Sequence, residues 1–594
     1  MNIQEKLRLL RQEMHSKGID AYIIPSTDPH QSEYVCEHWQ SRKWISGFTG
    51  SAGTVAVTQQ HAGLWTDSRY FLQAEHELEG SSIALHKMTN QFAPQYAEFL
   101  AENLPQGSNV GIDGLMWSQA AVEHIQQLLT AKGIELSDKE DFISPLWDHR
   151  PPVSDEKIII HPDIYAGMDA AHKIRLIRSQ MADIGATYHI ISALDDLAWT
   201  FNLRGRDVEF NPVFIAYGII SQDKAWLFID ENKLSQEVKV YLTDLQTDCL
   251  PYNSISTFIT NIDKDEKILV DPYICSAALY KQIPCRIING SSIPKKLKAI
   301  KNSTECSHIR NVMRKDGAAL AGMFCWLEQN IGKHRITEHD IVQELARFRS
   351  RQPLYFGESF GAIVGYKSNG AIIHYDPPAE GSAEILPDGI LLVDSGGQYT
   401  DGTTDITRTV SLGSATAQEM SHYTLILKGM IALSKIKFPY GTTGVQLDTL
   451  ARQFLWEQGL NYLHGTGHGV GFFLNVHEPP QGFAAINSER GRTVMEPGML
   501  SSNEPGYYIP GNYGMRIENL ILCQKSETEG FLEFETMTLY PFDLNLIDQK
   551  LLTPAEIRWI NQYHQKVYDE IAPLLETDVK VWFAAKCRQL EWKG

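Results

Sequence analysis

The chain contains an internal repeat, and this repeat limits the folds open to it more than any other feature. KLRLLRQEMHSKGIDAYII begins at Lys6, KIRLIRSQMADIGATYHII begins at Lys173, and eight of the nineteen aligned positions are identical. In the first copy Leu7, Leu10 and Met14 fall at i, i+3 and i+7, the spacing of one apolar helix face. A glycine typical of a helix C-terminus and a short apolar strand follow in both copies. The repeat predicts two related α/β domains.

We therefore divide the 594 residues into three domains. The expected boundaries are 1–150 and 151–303 for the duplicated α/β domains and 304–594 for a third domain. The polar, proline-rich run DHRPPVSD at 148–155 is typical of a linker between the first two domains.

The third domain has a different pattern. Helices are expected over 304–330 and from an N-cap at Thr337, where Asp340 would complete a capping box. From residue 354 onward, short strands alternate with glycine-rich turns, with helical stretches at 416–436 and 443–459 and a tail helix capped by Thr553. This alternation is typical of an α+β domain with antiparallel strands.

Charge and cysteine usage exclude several classes of protein. The formal charge of −19 argues against nucleic acid as a partner. No apolar run approaches 18 residues and the first residues are charged, so we expect neither membrane insertion nor a signal peptide. The eight cysteines show neither CxxC nor metal-ligand spacing, which favours reduced thiols in a cytoplasmic protein.

Four acidic residues stand inside apolar, strand-like runs of the third domain: Asp394, Asp405, Glu504 and Glu518. A buried carboxylate must pair, bind a metal ion or stay protonated. Crowded carboxylates raise one another's pKa unless cations neutralise them, and two divalent cations would balance these four charges. An oxygen-rich set with a single histidine suits Mn²⁺ better than a metal that prefers thiolates.

Histidines are also concentrated, since HGTGHGVGFFLNVHEPP places His464, His468 and His477 within fourteen residues. The interspersed glycines permit close approach of the backbone. The segment lacks the lysine of a phosphate-binding loop and contains no HExxH, so it is neither a P-loop nor a zincin site.

Together, VDSGGQYTDGTTDITRTV, HGTGHGVG, SNEPGYY and MRIEN resemble the five-ligand signature of the pita-bread metallopeptidases. The duplicated front half and YLHGTGHGVGFFLNVHEPP resemble the subgroup of three-domain Xaa-Pro aminopeptidases. The resemblance implies two creatinase-type α/β domains followed by a pita-bread catalytic domain. It implies release of the N-terminal residue from Xaa-Pro peptides by hydroxide activated at a dinuclear metal centre.

The resemblance also implies roles for individual residues. The metal ligands would be Asp394, Asp405, His468, Glu504 and Glu518, with Asp405 and Glu518 bridging two divalent ions, expected to be Mn²⁺. Glu504 would also move the proton, and His374 and His477 would be catalytic donors. The substrate-binding residues would be Arg69, His374, His464, His468, His477 and Glu504. Arg516 is expected to pair with a carboxylate.

Rival interpretations share parts of this pattern. A prolidase has the same ligands but takes dipeptides, and the extra front domain argues against it. A methionine aminopeptidase needs no front half of about 300 residues. A creatine-type amidinohydrolase and a non-catalytic binding protein would lack ligands that are all present here. The resemblance further implies a homodimer, and the sequence favours a core position for Trp456 over one at an interface.

Overall fold

The computed structural model describes residues 1–90, 93–485 and 488–591. The chain forms two compact units, one of Met1–His161 with Met168–Lys295 and one of Pro162–Gly167 with Lys296–Gly594. The change of unit near residue 295 precedes the expected boundary at 303/304 by a few residues. The expected boundary at 150/151 lies within the first unit and stays a prediction.

In the first unit, each copy of the repeat builds its own six-stranded mixed sheet, and the two sheets have the same topology. The strands of the first sheet are β1 (Ala21–Ile24), β2 (Thr54–Thr58), β3 (Ala62–Thr66), β4 (Ala84–Lys87), β5 (Asn109–Gly111) and β6 (Glu135–Ser137). Two strands, β7 (Ile159–Ile160) and β9 (Leu203–Arg204), form a separate pair. The strands of the second sheet are β8 (Tyr188–Ile191), β10 (Ala216–Ser221), β11 (Ala225–Ile229), β12 (Thr247–Leu250), β13 (Lys267–Val270) and β14 (Arg286–Asn289).

The strand orders are β4-β3-β2-β1-β5-β6 and β12-β11-β10-β8-β13-β14, which correspond position by position. In each sheet the strand that follows the repeated helix pairs antiparallel on one side and parallel on the other. The shared topology confirms the predicted duplication.

The repeated helices are α1 (Ile3–Ser16) and α7 (Ala170–Asp183). In α1 the buried residues are Leu7, Leu10 and Met14, the predicted apolar face. Gly18 and Gly185, which follow the helices, have φ of 67° and 71°, the left-handed conformation favoured by glycine. The other helices of this unit are α2 (Ser41–Ser46), α3 (Phe71–Glu77), α4 (Gln95–Asn103), α5 (Gln119–Thr130), α8 (Leu194–Thr200), α9 (Gln236–Asp244), α10 (Ile255–Thr260) and α11 (Ala277–Tyr280).

The second unit is α+β, as expected. Its helices are α6 (Asp163–Ala166), α13 (Ser303–Asn330), α14 (Glu338–Arg349), α15 (Ala417–Lys435), α16 (Gly444–Trp456), α17 (Glu489–Arg492), α18 (Pro554–Ile571) and α19 (Thr577–Lys586), and α12 (Ile293–Ala299) spans the change of unit. The predicted capping box of Thr337 and Asp340 is present, and Thr553 caps α18.

The strands of this unit are β15 (Tyr355–Glu358), β16 (Ile363–Tyr366), β17 (Ile390–Ser395), β18 (Gly397–Tyr399), β19 (Gly402–Thr403), β20 (Ile406–Ser411), β21 (Lys437–Pro439), β22 (Gly467–Gly469), β23 (Glu478–Phe483), β24 (Leu500–Asn503), β25 (Gly506–Ile509), β26 (Tyr513–Arg516), β27 (Asn519–Lys525) and β28 (Phe531–Thr536). The largest sheet has the order β21-β28-β27-β24-β22-β23, and β16-β17-β20 form a second sheet. Both sheets contribute strand ends to the site described below.

Two further features bear on the sequence expectations. Among the described residues, none of the helices combines the length and the apolar character needed to span a bilayer. Trp456, the last residue of α16, is 45% exposed, so the expected core position is wrong. The preceding residue, Leu455, takes the buried position, and the Trp456 indole donates to Asn461 Oδ1 at 2.9 Å.

Candidate metal centre

Two of the predicted carboxylates come from neighbouring strands of the β16-β17-β20 sheet. Asp394, near the end of β17, lies opposite Thr407 of β20 in the antiparallel register. Asp405 immediately precedes β20. Because antiparallel neighbours bring the end of one strand to the start of the next, both aspartates lie at one end of the sheet. Both are buried.

The two glutamates come from the larger sheet by the same geometry. Glu504 follows β24 and Glu518 precedes β27, and Asn503 pairs with Asn519 in register. The two sheets are joined at this point, since the Thr407 hydroxyl donates to Glu518 Oε2 at 2.8 Å and the Glu518 amide donates to the Thr407 carbonyl at 3.1 Å. All four carboxylates therefore belong to one region, in which Asp394, Asp405 and Glu518 are buried and Glu504 is partly exposed.

His468, on β22, faces these carboxylates. Its Nε2 lies 3.5 Å from Asp405 Oδ2 and 3.4 Å from Glu504 Oε1. One ligand atom each of Asp405, His468 and Glu518 lies within 4.8 Å of the other two. The His468 Nδ1 donates to the Gly469 carbonyl at 2.9 Å, which assigns the lone pair to Nε2.

Burial and mutual repulsion perturb the protonation of this group. Burial, followed by the charge of Asp394, raises the pKa of Asp405 well above its ordinary value. Burial and the charge of Asp405 raise the pKa of Glu518, and burial raises the pKa of Glu504. Burial, together with His477, lowers the pKa of His468 to about 4. The carboxylates thus show the repulsion expected from the sequence, and the imidazole is neutral at pH 7.

The donor set fits metal ions. Asp394 Oδ1 and Glu518 Oε1 are buried and have no hydrogen-bond partner among the residues that the structure describes. The 3.4–3.5 Å separations at His468 exceed an ordinary hydrogen bond but suit atoms that share a cation. A neutral imidazole whose second nitrogen is fixed by a carbonyl is the usual state of a metal-binding histidine. Carboxylate oxygens dominate the set, which favours hard to borderline divalent ions.

Arg516 links the carboxylates to a second row of side chains. Its Nη2 donates to Asp394 Oδ2 at 2.5 Å, the predicted pairing with a carboxylate. Its Nη1 donates to the Tyr508 hydroxyl at 2.7 Å, and that hydroxyl lies 2.9 Å from His464 Nε2. His464 is thereby connected to Asp394 through Tyr508 and Arg516.

The glycine-rich segment allows the strands to approach closely. A Cβ on Gly467 would lie 2.0 Å from the Ser502 carbonyl oxygen, and one on Gly469 would lie 2.2 Å from that of Glu478. Glycine is therefore required on both sides of His468, as the sequence indicates. The His477 ring stands edge-on to His468, with centroids 4.3 Å apart, so these two predicted residues are brought together.

The remaining two predicted residues are His374 and Arg69. His374 is half-buried in the loop after the 3₁₀ turn Lys367–Ala371, and the neighbouring Tyr375 hydroxyl anchors this loop to Glu338 Oε2 at 2.9 Å. Arg69 belongs to the first unit, where its guanidinium forms a two-point ion pair with Asp67 at 2.8 Å for each bond. The roles of His374 and Arg69 stay predictions.

Thr407 and Tyr508 were missed by the sequence analysis. Thr407 stands two residues after Asp405, and its hydroxyl also accepts from Arg516 Nε at 3.2 Å. Alternation along a strand could have suggested that Thr407 lies beside a carboxylate. The contact between Tyr508 and Arg516 requires the pairing of β25 with β26, which local patterns do not specify.

A largely buried cluster of four carboxylates and one neutral imidazole, built on the ends of antiparallel strands, is the kind of donor set found in metal-dependent enzymes. Residues 307–525 match metallopeptidase family M24, 530–590 match the C-terminal region of peptidase M24, and 6–146 and 149–305 each match a creatinase/prolidase N-terminal domain. The chain belongs to metallopeptidase family M24.

Individual relatives match along almost the whole chain. The chain is 40% identical to aminopeptidase P2 of Arabidopsis thaliana, over 97% of this chain and 86% of the relative. It is 39% identical to Xaa-Pro aminopeptidase 1 of Dictyostelium discoideum, over 97% and 94%. A solved X-prolyl aminopeptidase of Caenorhabditis elegans, described as a cytosolic enzyme with a di-nuclear active site, superimposes with a TM-score of 0.95 at 33% identity, over 99% of this chain and 100% of that one. The architecture is thus two creatinase-type domains and a pita-bread catalytic domain.

Proposed function

We propose that this chain is a metal-dependent aminopeptidase that releases the N-terminal residue from peptides with proline in the second position. The convergence of Asp405, His468 and Glu518 in one buried cluster carries the proposal. Near-complete alignment with a relative named Xaa-Pro aminopeptidase 1 and with a solved X-prolyl aminopeptidase supports the substrate class.

We propose that Asp394, Asp405, His468, Glu504 and Glu518 hold two divalent ions, with Asp405 and Glu518 shared between them. The orphaned oxygens of Asp394 and Glu518 support this assignment, as does the di-nuclear site of the Caenorhabditis elegans enzyme. Mn²⁺ is the proposed ion because oxygen ligands outnumber nitrogen. When bound, such ions supply Lewis-acid polarisation and lower the pKa of water towards about 7.

Glu504 is proposed to move the proton from water to the leaving nitrogen of proline. The Ser502 hydroxyl donates to Glu504 Oε1 at 3.0 Å, and the Glu504 amide donates to the Thr466 carbonyl at 2.8 Å. These contacts fix both the backbone and the carboxyl group, as proton transfer at a defined atom requires.

Histidines around the cluster are proposed to bind the substrate. His477, in edge contact with His468, and His374 would donate to the oxygen of the scissile carbonyl as negative charge develops on it. His464, held by Tyr508, would contact the peptide beside them, and Arg69 is the proposed contact for longer peptides.

An Xaa-Pro bond lacks an amide N–H, because the proline nitrogen is substituted. A site selective for this bond must recognise the ring and must not require the missing donor. We therefore propose that selectivity for proline over alanine arises from ring shape. This requirement distinguishes the proposed activity from that of a general aminopeptidase.

The test is hydrolysis of Xaa-Pro-Xaa, Xaa-Ala-Xaa and the dipeptide Xaa-Pro by Mn²⁺-loaded and metal-stripped protein. Cleavage of the first peptide alone, lost on stripping and restored by Mn²⁺, is expected. Preference for the dipeptide would favour a prolidase instead. Failure of the loaded protein to cleave any of the three would refute the proposal.

We also propose a homodimer in the cytoplasm. Trp456 and Leu463, which are 45% and 71% exposed, provide apolar surface suited to a second copy. The Caenorhabditis elegans enzyme, described as cytosolic, supports the proposed location. Light scattering of wild-type protein and Trp456→Glu tests the dimer, and a wild-type monomer would exclude it.

A further inference from the structure

The loop that leads into His468 has little packing of its own. In residues 461–467 Leu463 is 71% exposed, and positions 465 and 467 are glycines. The buried side chains of this stretch are Tyr462 and Thr466. A segment so poor in buried side chains needs contacts from another element to hold one conformation.

Helix α16 supplies those contacts through a buried ion pair. Arg452 and Asp448, one helical turn apart, are 3% and 1% exposed. Arg452 Nε donates to Asp448 Oδ2 at 2.6 Å and Nη2 donates to Oδ1 at 3.3 Å. The carboxylate thus orients the guanidinium, whose planar donors then point in fixed directions.

The remaining donors of Arg452 bind the loop backbone. Nη1 donates to the Tyr462 carbonyl and Nη2 donates to the His464 carbonyl, both at 2.7 Å. The guanidinium carbon also lies 3.9 Å from the centroid of the Tyr462 ring. The Arg452 side chain therefore holds two carbonyl groups of the loop and the ring of Tyr462.

Thr466 continues this linkage to the proposed ligands. Its hydroxyl donates to Asp448 Oδ1 at 2.6 Å and contacts the Tyr462 hydroxyl, and its carbonyl accepts from the Glu504 amide at 2.8 Å. His468 follows two residues later. A shift of Thr466 would thus move Glu504 and His468 relative to each other.

We propose that Asp448 and Arg452 are positioning residues that hold loop 461–467 so that His468 and Glu504 can share one metal ion. This inference rests on the proposed function. Neither residue touches the carboxylate cluster in the contacts described here; both act through the backbone and through Thr466. Residues that orient metal ligands typically change affinity 10–100-fold when altered.

Two variants test the linkage, and a third variant serves as the control. Arg452→Lys keeps the charge but loses the fork, and Thr466→Val removes only the hydroxyl, leaving the ion pair intact. Lys428→Met is the matched control, because Lys428 of α15 forms a buried pair with Glu556 of α18 at 2.9 Å in the same unit. The full-length, metal-stripped chain is titrated with Mn²⁺, and thermal unfolding and kcat and KM for Xaa-Pro-Xaa are measured.

Arg452→Lys and Thr466→Val should each weaken Mn²⁺ binding by about tenfold or more. Their kcat should fall by roughly 10–100-fold, with KM changed by less than about threefold. Lys428→Met should lose comparable thermal stability yet bind Mn²⁺ within about threefold of wild type. If Arg452→Lys does not fold, Thr466→Val still decides the question.

Wild-type Mn²⁺ affinity and kcat in a folded Thr466→Val protein would overturn the inference. Equal loss of Mn²⁺ affinity in Lys428→Met would also overturn it, because the effect would then be a general one of stability. The metal titration does not depend on turnover. A wild-type chain that binds Mn²⁺ but cleaves no peptide would therefore refute the proposed function while leaving the positioning role measurable.

Discussion

Thr407→Val tests how Glu518 is held in the metal centre. The Thr407 hydroxyl donates to Glu518 Oε2 at 2.8 Å and accepts from Arg516 Nε at 3.2 Å, while Glu518 Oε1 is left for a cation. Valine has nearly the shape of threonine and suits a strand, so the backbone of β20 should be unchanged. The variant removes the donor to Glu518 and the acceptor of Arg516 Nε, and it leaves the Glu518 carboxylate free to rotate.

The expected loss of Mn²⁺ affinity in Thr407→Val can be estimated from the charge of the acceptor, the Glu518 carboxylate. A hydrogen bond to a charged group contributes about 1.5–3 kcal/mol. A loss of 10–100-fold in metal affinity, typical for such orienting contacts, corresponds to about 1.4–2.8 kcal/mol. The two estimates agree, so we expect the Mn²⁺ dissociation constant of Thr407→Val to rise by one to two orders of magnitude.

Thr409→Val is the matched control. Thr409 is buried two residues further along β20, and its hydroxyl bonds to the backbone of Arg516 rather than to a carboxylate. Calorimetric titration of the metal-stripped chains should show Mn²⁺ affinity within about threefold of wild type for Thr409→Val. Wild-type affinity in a folded Thr407→Val protein would refute the assignment of Glu518 as a ligand oriented by Thr407.

Three further outcomes are expected. Glu504→Gln should lower kcat by at least about 10³-fold with metal still bound, and near-normal turnover would exclude Glu504 as the proton carrier. Arg69→Ala should raise KM for longer Xaa-Pro peptides about tenfold while sparing tripeptides, so unchanged kinetics would remove Arg69 from the site. Acidification should destabilise the fold through His564, because burial lowers its pKa to about 4 and its Nε2 accepts from the Phe542 amide at 3.1 Å. In the unfolded state the His564 imidazole has a pKa of about 6.5 and binds a proton below that pH, so the free energy of unfolding should fall by about 2 kcal/mol between pH 7 and pH 5. Urea unfolding of His564→Leu should show a correspondingly smaller fall in the free energy of unfolding over this pH range, and an unchanged fall would contradict the assignment to His564.

Local patterns predicted much of the fold because they reflect local energetics. The i, i+3, i+7 spacing of Leu7, Leu10 and Met14 identified a helix face that is buried as expected. Thr337 with Asp340 identified a helix start through reciprocal capping bonds. The repeat identified the duplication, since the same pattern of residues builds the same sheet twice.

The carboxylates among the proposed ligands were also visible in the sequence, because a carboxylate in an apolar run must pair, bind a metal ion or stay protonated. The supporting contacts were not visible. Thr407 meets Glu518 across 111 positions of the chain, and Arg516 meets Asp394 across 122. Such contacts depend on strand register between distant segments, which hydrophobic periodicity does not specify.

The prediction of a core position for Trp456 was wrong. Apolar residues in FLWEQGL suggested a core position, but the helix ends at Trp456, and the buried position of its last turn is filled by the residue before it. Leu455 takes that place. The sequence analysis did not single out Asp448 and Arg452, four residues apart on α16, because the burial of this pair and its contacts with loop 461–467 depend on the fold.

The central claim is that Asp394, Asp405, His468, Glu504 and Glu518 hold two divalent ions. The most direct test is anomalous diffraction at the manganese edge from crystals of the Mn²⁺-loaded chain. Two peaks are expected, each within about 2.0–2.4 Å of these side chains, with Asp405 and Glu518 contacting both. A single peak, or peaks away from these five residues, would contradict the account.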